Sequence, residues 1–429
     1  MNMIKSLYKR LENYFDRLWP IPRSITGPGY EKSLEILSEV VPFERIEFRT
    51  GDKVLDWTIP NEWHPRKAYI IDPNGKKIAD FSKNNLHLVG YSTPYKGILP
   101  LSELKKKINT LSDQPTAIPY ITSYYSKAWG FCMSFEEYNE LPEGDYEVVI
   151  DTELKKGKLT VGEAVLEGSS NKEILISSYL CHPSMANNEL SGPLVLSFLY
   201  EAIASLNFRK YTYRFVIVPE TIGSIAYLSK RGNDFKKNLL AGYQITCIGD
   251  NGQLTYKKSR DGNTLADRSA MQVMHEINNK NIIPFNPAFG SDERQYCSPG
   301  FNLPVGSLMR TMYTKYPEYH TSLDNKDLMD FKGMEETVGI LASIIENIEV
   351  NSVWKNKYPY GEPQLGKRNL FRSLSDKTRD EDEMAMWWLL NYSDGSNDLL
   401  SIANLSGHSM KTLARVATKL NEAGILFNE

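Results

Sequence analysis

The sequence predicts an α/β protein: a three-layer core with a central mixed sheet, an inserted β-rich lobe and a C-terminal helical domain. Three observations carry this. From about Asp145 to Val350 short apolar strands alternate with helical runs, the pattern of a parallel or mixed sheet covered on both faces. Between residues 54 and 122 the texture turns to β, with Asp72-Pro73-Asn74-Gly75 as a hairpin turn between Lys67–Asp72 and Lys77–Phe81. Beyond the Pro/Gly/Tyr-rich linker from Trp354 to Gly366, helix-turn-helix periodicity sets in.

At the amino end, Ile4, Leu7, Leu11, Phe15 and Leu18 mark an amphipathic helix rather than an apolar signal core. The loop Pro20-Ile21-Pro22-Arg23-Ser24-Ile25-Thr26-Gly27 separates it from a second helix, Gly29 to Val40. Trp57, Trp63, Tyr120, Tyr124 and Tyr125 give the insertion an aromatic surface. Core strands follow at about Asp145–Asp151, Lys158–Leu166 and Glu173–Tyr179. The tail reads as helices at Glu383 to Leu390, Asp398 to Asn404 and His408 to Ala423, with Leu399, Ile402, Leu413, Val416 and Leu420 as its apolar face. The expected domains are 1–53 with 123–353, the lid-like insertion 54–122, and the tail 367–429.

Composition narrows the partners. A chain of 429 residues with 41% apolar and 24% charged residues is that of a globular protein of two or three domains. The net charge of −3 gives no footprint for nucleic acid or an acidic membrane, and no run reaches the roughly 18 apolar residues of a membrane helix. From Lys367 onward 8 basic residues face 9 acidic ones, which argues against nucleic acid despite the stripe Lys411, Arg415 and Lys419. The tail is instead expected to serve intramolecular docking or dimerisation, the latter giving a homo-oligomer. Cys132, Cys181, Cys247 and Cys297 show no paired spacing, so free thiols in a reducing cytoplasm are expected.

The chemistry concentrates at Cys181-His182-Pro183-Ser184-Met185-Ala186-Asn187-Asn188-Glu189-Leu190-Ser191-Gly192. The apolar run Ile174 to Tyr179 leads into it, and Leu196, Leu199, Ile203 and Leu206 follow at helical spacing. An imidazole and a carboxylate at a strand's carboxyl end suit a metal ion, because α/β folds open their sites there. A second strand, Phe215 to Val218, ends on Pro219-Glu220, and Tyr319-His320-Thr321 lies far downstream.

These segments, in this order, resemble the zinc aminopeptidases of the bacterial leucyl-aminopeptidase and glutamate-carboxypeptidase type, over about residues 1–50 and 126–350. His182 matches the family's first histidine and His320 its last. Ala186 to Gly192 overlies the loop whose Asp bridges two zincs, Glu220 lies near an acidic pair, and Ser291-Asp292 with Gly300-Phe301-Asn302-Leu303-Pro304 resembles a further motif. The chain is most similar to a narrower bacterial group with an inserted lid and a C-terminal winged helix, sometimes labelled with polysaccharide biosynthesis. The resemblance implies a zinc-peptidase-like core, one or two Zn2+ ions, a small peptide or amide substrate, and metal ligation by His182, Glu189, Glu220 and His320. Glu220 is also the candidate catalytic base, with Glu189 in that role if Glu220 is a ligand.

The departures set further expectations. Asn188 stands where the bridging Asp would be, and an amide lacks the charge that holds two dications together. Glu189 reads either as its replacement or as a first-turn acid, Glu220 as ligand, base or helix cap. Asp250 reads as a ligand or as a turn residue, Asp292 as an orienting partner. Arg260 and Arg294 are candidate anchors for a substrate carboxylate or phosphate. Two functions follow: a zinc-dependent aminopeptidase or related amide hydrolase, or the same fold as a peptidase-inactive metal-binding module. An amidohydrolase of amino-sugar or polysaccharide intermediates, with the tail used for assembly or regulation, belongs with the second.

Overall fold

Glu173–Tyr179 is buried at every position, as a strand covered on both faces must be. In the structure, a computed structural model describing residues 6–370 and 380–428, it lies at the centre of an eight-stranded sheet. The strand order is Glu44–Arg49, Lys158–Leu166, Thr212–Val218, Glu173–Tyr179, Leu239–Ile245, Val305–Met309, Thr255–Lys257, Ile282–Ile283. The four middle strands run parallel and antiparallel partners flank them, so the sheet is mixed as expected. From Glu173–Tyr179 the chain crosses to a neighbour on one side, then to Leu239–Ile245 on the other. That reversal opens a crevice at the strands' carboxyl ends, where α/β sheets hold ligands.

The helices Ser191–Ala204 and Ile222–Asn238 make these crossovers. Gly192, in the first turn of Ser191–Ala204, is forced by space: a Cβ there would lie 2.4 Å from Ser178 Oγ and 2.5 Å from the Ile245 carbonyl oxygen. Gly192→Ala should therefore cost about 1–3 kcal/mol by overpacking. A lowered urea midpoint would report it, and an unchanged midpoint would contradict the close approach.

At the amino end Leu7–Leu18 buries Leu11, Phe15 and Leu18, and Pro28–Leu37 follows. Ile4, the first residue of the expected pattern, lies outside the described residues. Between these helices Arg23 is buried, and its guanidinium donates to the Leu18 carbonyl at 2.6 Å and the His182 carbonyl at 3.2 Å.

The insertion is β-rich, but its four-stranded sheet takes one strand from outside the expected boundaries. Its order is Lys77–Ile78, Glu62–Ile71, Asp145–Lys155, Tyr95–Pro100, antiparallel throughout. Asp145–Lys155, read from sequence as a core strand, pairs with Glu62–Ile71 over nearly its whole length because both are long and alternately buried. The hairpin turn forms at Asp72, whose Oδ1 accepts from Asn74 and Lys76 N–H at 2.9 and 2.8 Å.

By contact the chain divides into residues 1–262 with 282–339, described so far, and residues 263–281 with 340–429. The second unit is built on the helices Glu381–Tyr392, Leu399–Ser406 and Met410–Glu422, with the sheet Asp394–Asp398, Val353–Asn356, Leu426–Asn428. Residues 371–379 and 429 of the expected tail lie outside the described residues. The tail is larger than the sequence reading had it. Val353–Asn356, which spans the expected boundary between the core and a linker from Trp354, is the middle strand of its sheet, and Trp354 joins its core. Leu265–Glu276, read as core, also belongs to this unit. Asp398 caps Leu399–Ser406 through Ser401 N–H at 2.8 Å and pairs with Arg268 at 2.8 and 2.9 Å.

Burial alone would raise the Asp398 carboxyl, but the bonds from Arg268, Asn351 and Ser401 outweigh it and hold it well below its ordinary 3.8. A depressed folded pKa contributes stability that is present above the ordinary value and lost as pH falls through the folded one. Asp398→Ala should thus cost this unit about 1–2 kcal/mol near pH 7 through the lost cap and pair. The difference from the natural protein should shrink below about pH 4, which denaturation at two pH values would measure. Among the described residues no helix is long and apolar enough to cross a membrane.

Candidate metal centre

Parallel register explains why two distant motifs meet. Tyr179 pairs with Val218, so His182 and Glu220, just beyond the pair, leave the sheet side by side. His182 Nε2 lies 3.6 Å from Glu220 Oε2. His320 comes from a loop held against the insertion, its carbonyl accepting from Tyr120 N–H at 2.9 Å. The His320 and His182 rings lie 5.4 Å apart, centroid to centroid, and Tyr319 stacks on His320 at 4.0 Å. Burial, then the neighbouring His182, pushes His320 down to about 3, so it is neutral at neutral pH.

A cavity of about 350 Å³ opens over these groups, lined by His182, His320, Glu220 and Cys181 on the sheet side. Trp57, Tyr120, Thr122, Tyr124 and Tyr125 also line it, with the Tyr120 ring 5.0 Å from His182 and 5.3 Å from His320, centroid to centroid. The sequence offered these aromatics only as a surface. Glu220 is the one carboxylate, and no Lys or Arg is present, among the described residues that line it.

Behind His182 the ring is fixed from its other nitrogen. Nδ1 lies 2.7 Å from Glu189 Oε2 and 3.4 Å from Cys181 Sγ. Glu189 sits in a single π-helical turn, Ala186–Leu190, that closes over Asp324: Asn187 and Asn188 N–H donate to its carboxylate at 2.6 and 2.9 Å. Glu189 is buried and its Oε1 has no hydrogen-bond partner among the described residues. Cys181, His182 and Glu189 each offer a ligand atom within 4.8 Å of the others. Burial raises the Cys181 thiol to about 11. Burial raises Glu189 too, while for His182 the opposing burial is outweighed by Cys181 and Glu189, which hold it well above 6.5.

Glu220 is held from the other side. Ser291 Oγ donates to Glu220 Oε1 at 2.6 Å, which leaves Oε2 toward His182. Thr221 follows at φ 63°, ψ −70°, a strained γ-turn closed by Ile222 N–H to the Glu220 carbonyl at 2.8 Å. Asp292 Oδ1 stabilises that turn by accepting from Thr221 N–H at 2.7 Å and Ser224 Oγ at 2.8 Å. Asp292 Oδ2 is buried without a hydrogen-bond partner among the described residues, and burial with the nearby Glu220 raises this carboxyl well above 3.8.

The remaining candidates lie elsewhere. Asn188 does not line the cavity; its Oδ1 faces Tyr179 OH at 3.4 Å and Cys247 Sγ at 3.7 Å. Asp250 is saturated by Asn187 Nδ2, Gly252 N–H and Thr311, at 2.7 to 3.2 Å. Arg260 donates to exposed Asn302 at 3.1 Å, and neither it nor Arg294 lines the cavity. The sequence marks Ser291 only as part of a Ser-Asp motif and Tyr120 only as part of an aromatic surface; the bond of Ser291 to Glu220 and the place of Tyr120 in the cavity lining emerge in the structure. In the tail, Arg415 and Lys419 of the basic stripe both pair with Asp382, at 2.6 and 2.7 Å.

A strand-end histidine and carboxylate under an α/β sheet of this order define a peptidase-like fold. The zinc aminopeptidase of Bacillus subtilis shares it with a TM-score of 0.60 at 11% identity, over 80% of this chain and 94% of that one. An M28 peptidase precursor from Shewanella amazonensis gives 0.55 at 12% identity, over 79% and 92%. The chain belongs to the family described as a domain of unknown function, DUF4910, whose profile matches residues 12–351; a winged helix-turn-helix profile matches 352–428. It is 43% identical, over 96% of its length and 95% of the relative's, to a Clostridium acetobutylicum protein. That protein's name assigns it provisionally to polysaccharide biosynthesis, with an aminopeptidase-like domain. A crystal structure from the same organism, provisionally described as a peptidase, matches with a TM-score of 0.91 at 41% identity, over 98% and 96%.

Proposed function

We propose that the protein is a single-metal hydrolase acting on an amide bond, in the manner of an aminopeptidase. The observation that carries this is the convergence of His182 Nε2, His320 and Glu220 Oε2 on one cavity. Two imidazoles and a carboxylate are a donor set of catalytic zinc, and 3.6 Å suits two ligands of one ion with bonds of about 2.0–2.2 Å. When bound, zinc would polarise the scissile carbonyl and lower the pKa of a bound water.

The chain's own groups divide the remaining work. Glu189 acts on the Nδ1 side, orienting the His182 ring by the hydrogen bond that ligand histidines usually make. This assignment is favoured over direct ligation because buried Arg23, whose charge acts on Glu189, opposes a cation behind the ring. Glu220 has two duties: Oε2 faces the ion, and the carboxylate accepts the proton released by the attacking water and passes it to the leaving amine. The aromatic wall excludes water and accepts an apolar or aromatic group of a small peptide or amide.

We assign one ion rather than two. The groups that would hold it, Asn188 and Asp250, are an amide against a thiol and a carboxylate whose bonds are already made. One carboxylate doing two tasks favours slow turnover, and the same observation supports the second reading, a metal-binding module without peptidase activity. The four buried cysteines, none in a disulfide, support a cytoplasmic location, and the pairing of Arg415 and Lys419 to Asp382 supports a tail that does not read nucleic acid. Assay of the zinc-loaded chain on aminoacyl amides tests the hydrolase. Activity lost by at least a hundredfold in Glu220→Gln is expected; activity unchanged in that variant would refute the role of Glu220.

A further inference from the structure

Lys257 and Glu293 form an ion pair of 2.6 Å in which neither side chain is exposed. Removing two charges from water is costly, and apolar replacements of such pairs are often as stable or more so. Stability alone therefore does not account for it.

Its contacts lead to the metal centre. All three hydrogens of the Lys257 ammonium have acceptors: Glu293 Oε1, the Phe289 carbonyl at 2.5 Å and Tyr313 OH at 2.9 Å. The Glu293 carboxylate accepts the Ser291 N–H through Oε1 at 3.2 Å and Oε2 at 3.0 Å. Ser291, itself buried, donates its hydroxyl to Glu220 Oε1 at 2.6 Å. An unbroken chain of short contacts thus runs from a buried ammonium to the carboxylate that lines the cavity. We propose that the Lys257–Glu293 pair is a positioning device for Glu220. It fixes the Ser291 backbone, so that the hydroxyl captures Oε1 and Oε2 stays turned toward His182. The charge of Lys257 keeps Glu293 in place as an acceptor inside the protein, and Glu293 transmits that order to Ser291. Neither residue touches the substrate cavity, so both act through Ser291. This rests on the single-metal site proposed above.

The test uses the full chain, zinc alone and cobalt(II) alone, with Ser291→Ala, Lys257→Met and the double variant Lys257→Met/Glu293→Leu. The double variant removes both charges together, so a folding failure of the single one leaves the comparison intact. Zinc affinity, from competition with a chelator, should fall about 10–100-fold in each, the range for groups that orient metal ligands. The visible spectrum of the cobalt-loaded protein should move in the same sense, because the ligand geometry changes. In a Ser291→Ala background, removing the pair should cause no further loss of affinity. A folded double variant with natural zinc affinity and an unchanged cobalt spectrum would overturn the positioning role while leaving the metal site standing. Natural protein that binds neither ion would overturn the metal site and the positioning role together.

Discussion

His182→Ala should abolish the zinc binding proposed above. Structural zinc sites are worth about 10–16 kcal/mol over four ligands, so one ligand accounts for roughly 3 kcal/mol, a loss of a hundredfold or more in affinity. Glu189→Gln, which keeps an acceptor beside Nδ1 but loses the charge, should cost only about 10–100-fold. Titration against a competing chelator ranks the two. Equal losses would make Glu189 a ligand in its own right, through the cluster with Cys181 behind the ring, and would move the metal out of the cavity.

Lys257→Met should be among the most destabilising single changes. It leaves the Glu293 carboxylate fully buried with no cation, which typically costs about 3–5 kcal/mol. Lys257→Met/Glu293→Leu should recover most of that, because the uncompensated charge is gone. Chemical denaturation of both variants measures the difference. A single variant costing less than about 1 kcal/mol would mean that water or a rearranged partner reaches Glu293.

The contrast between these groups marks how far the sequence could be read. His182 and Glu220 were legible because each ends an apolar strand, and parallel pairing of those strands brings their ends together. His320 was legible only through its motif, since a loop held by Tyr120 brings it in. The place of Glu189 lies in a π-helical turn that no periodicity announces, and its carboxylate, not the Asn188 amide, lies against the ring. Lys257 and Glu293 are 36 positions apart on unrelated elements, so their pairing exists only in three dimensions. The sheet and the helix-turn-helix tail followed from apolar patterning. Asp145–Lys155 and Val353–Asn356 did not, because a strand's alternation does not say which sheet it joins. Arg260 and Arg294 offer charge in segments that the sequence places near a cleft, and the cavity has no Lys or Arg in its lining among the described residues.

Elemental analysis of the full chain, purified without chelators and exchanged into metal-free buffer, bears most directly on the single-metal centre. One zinc per chain is expected, held by His182, His320 and Glu220. Two zincs at full occupancy would contradict the assignment of Asn188 and Asp250 to hydrogen-bonded structure, and no retained metal would contradict the centre itself.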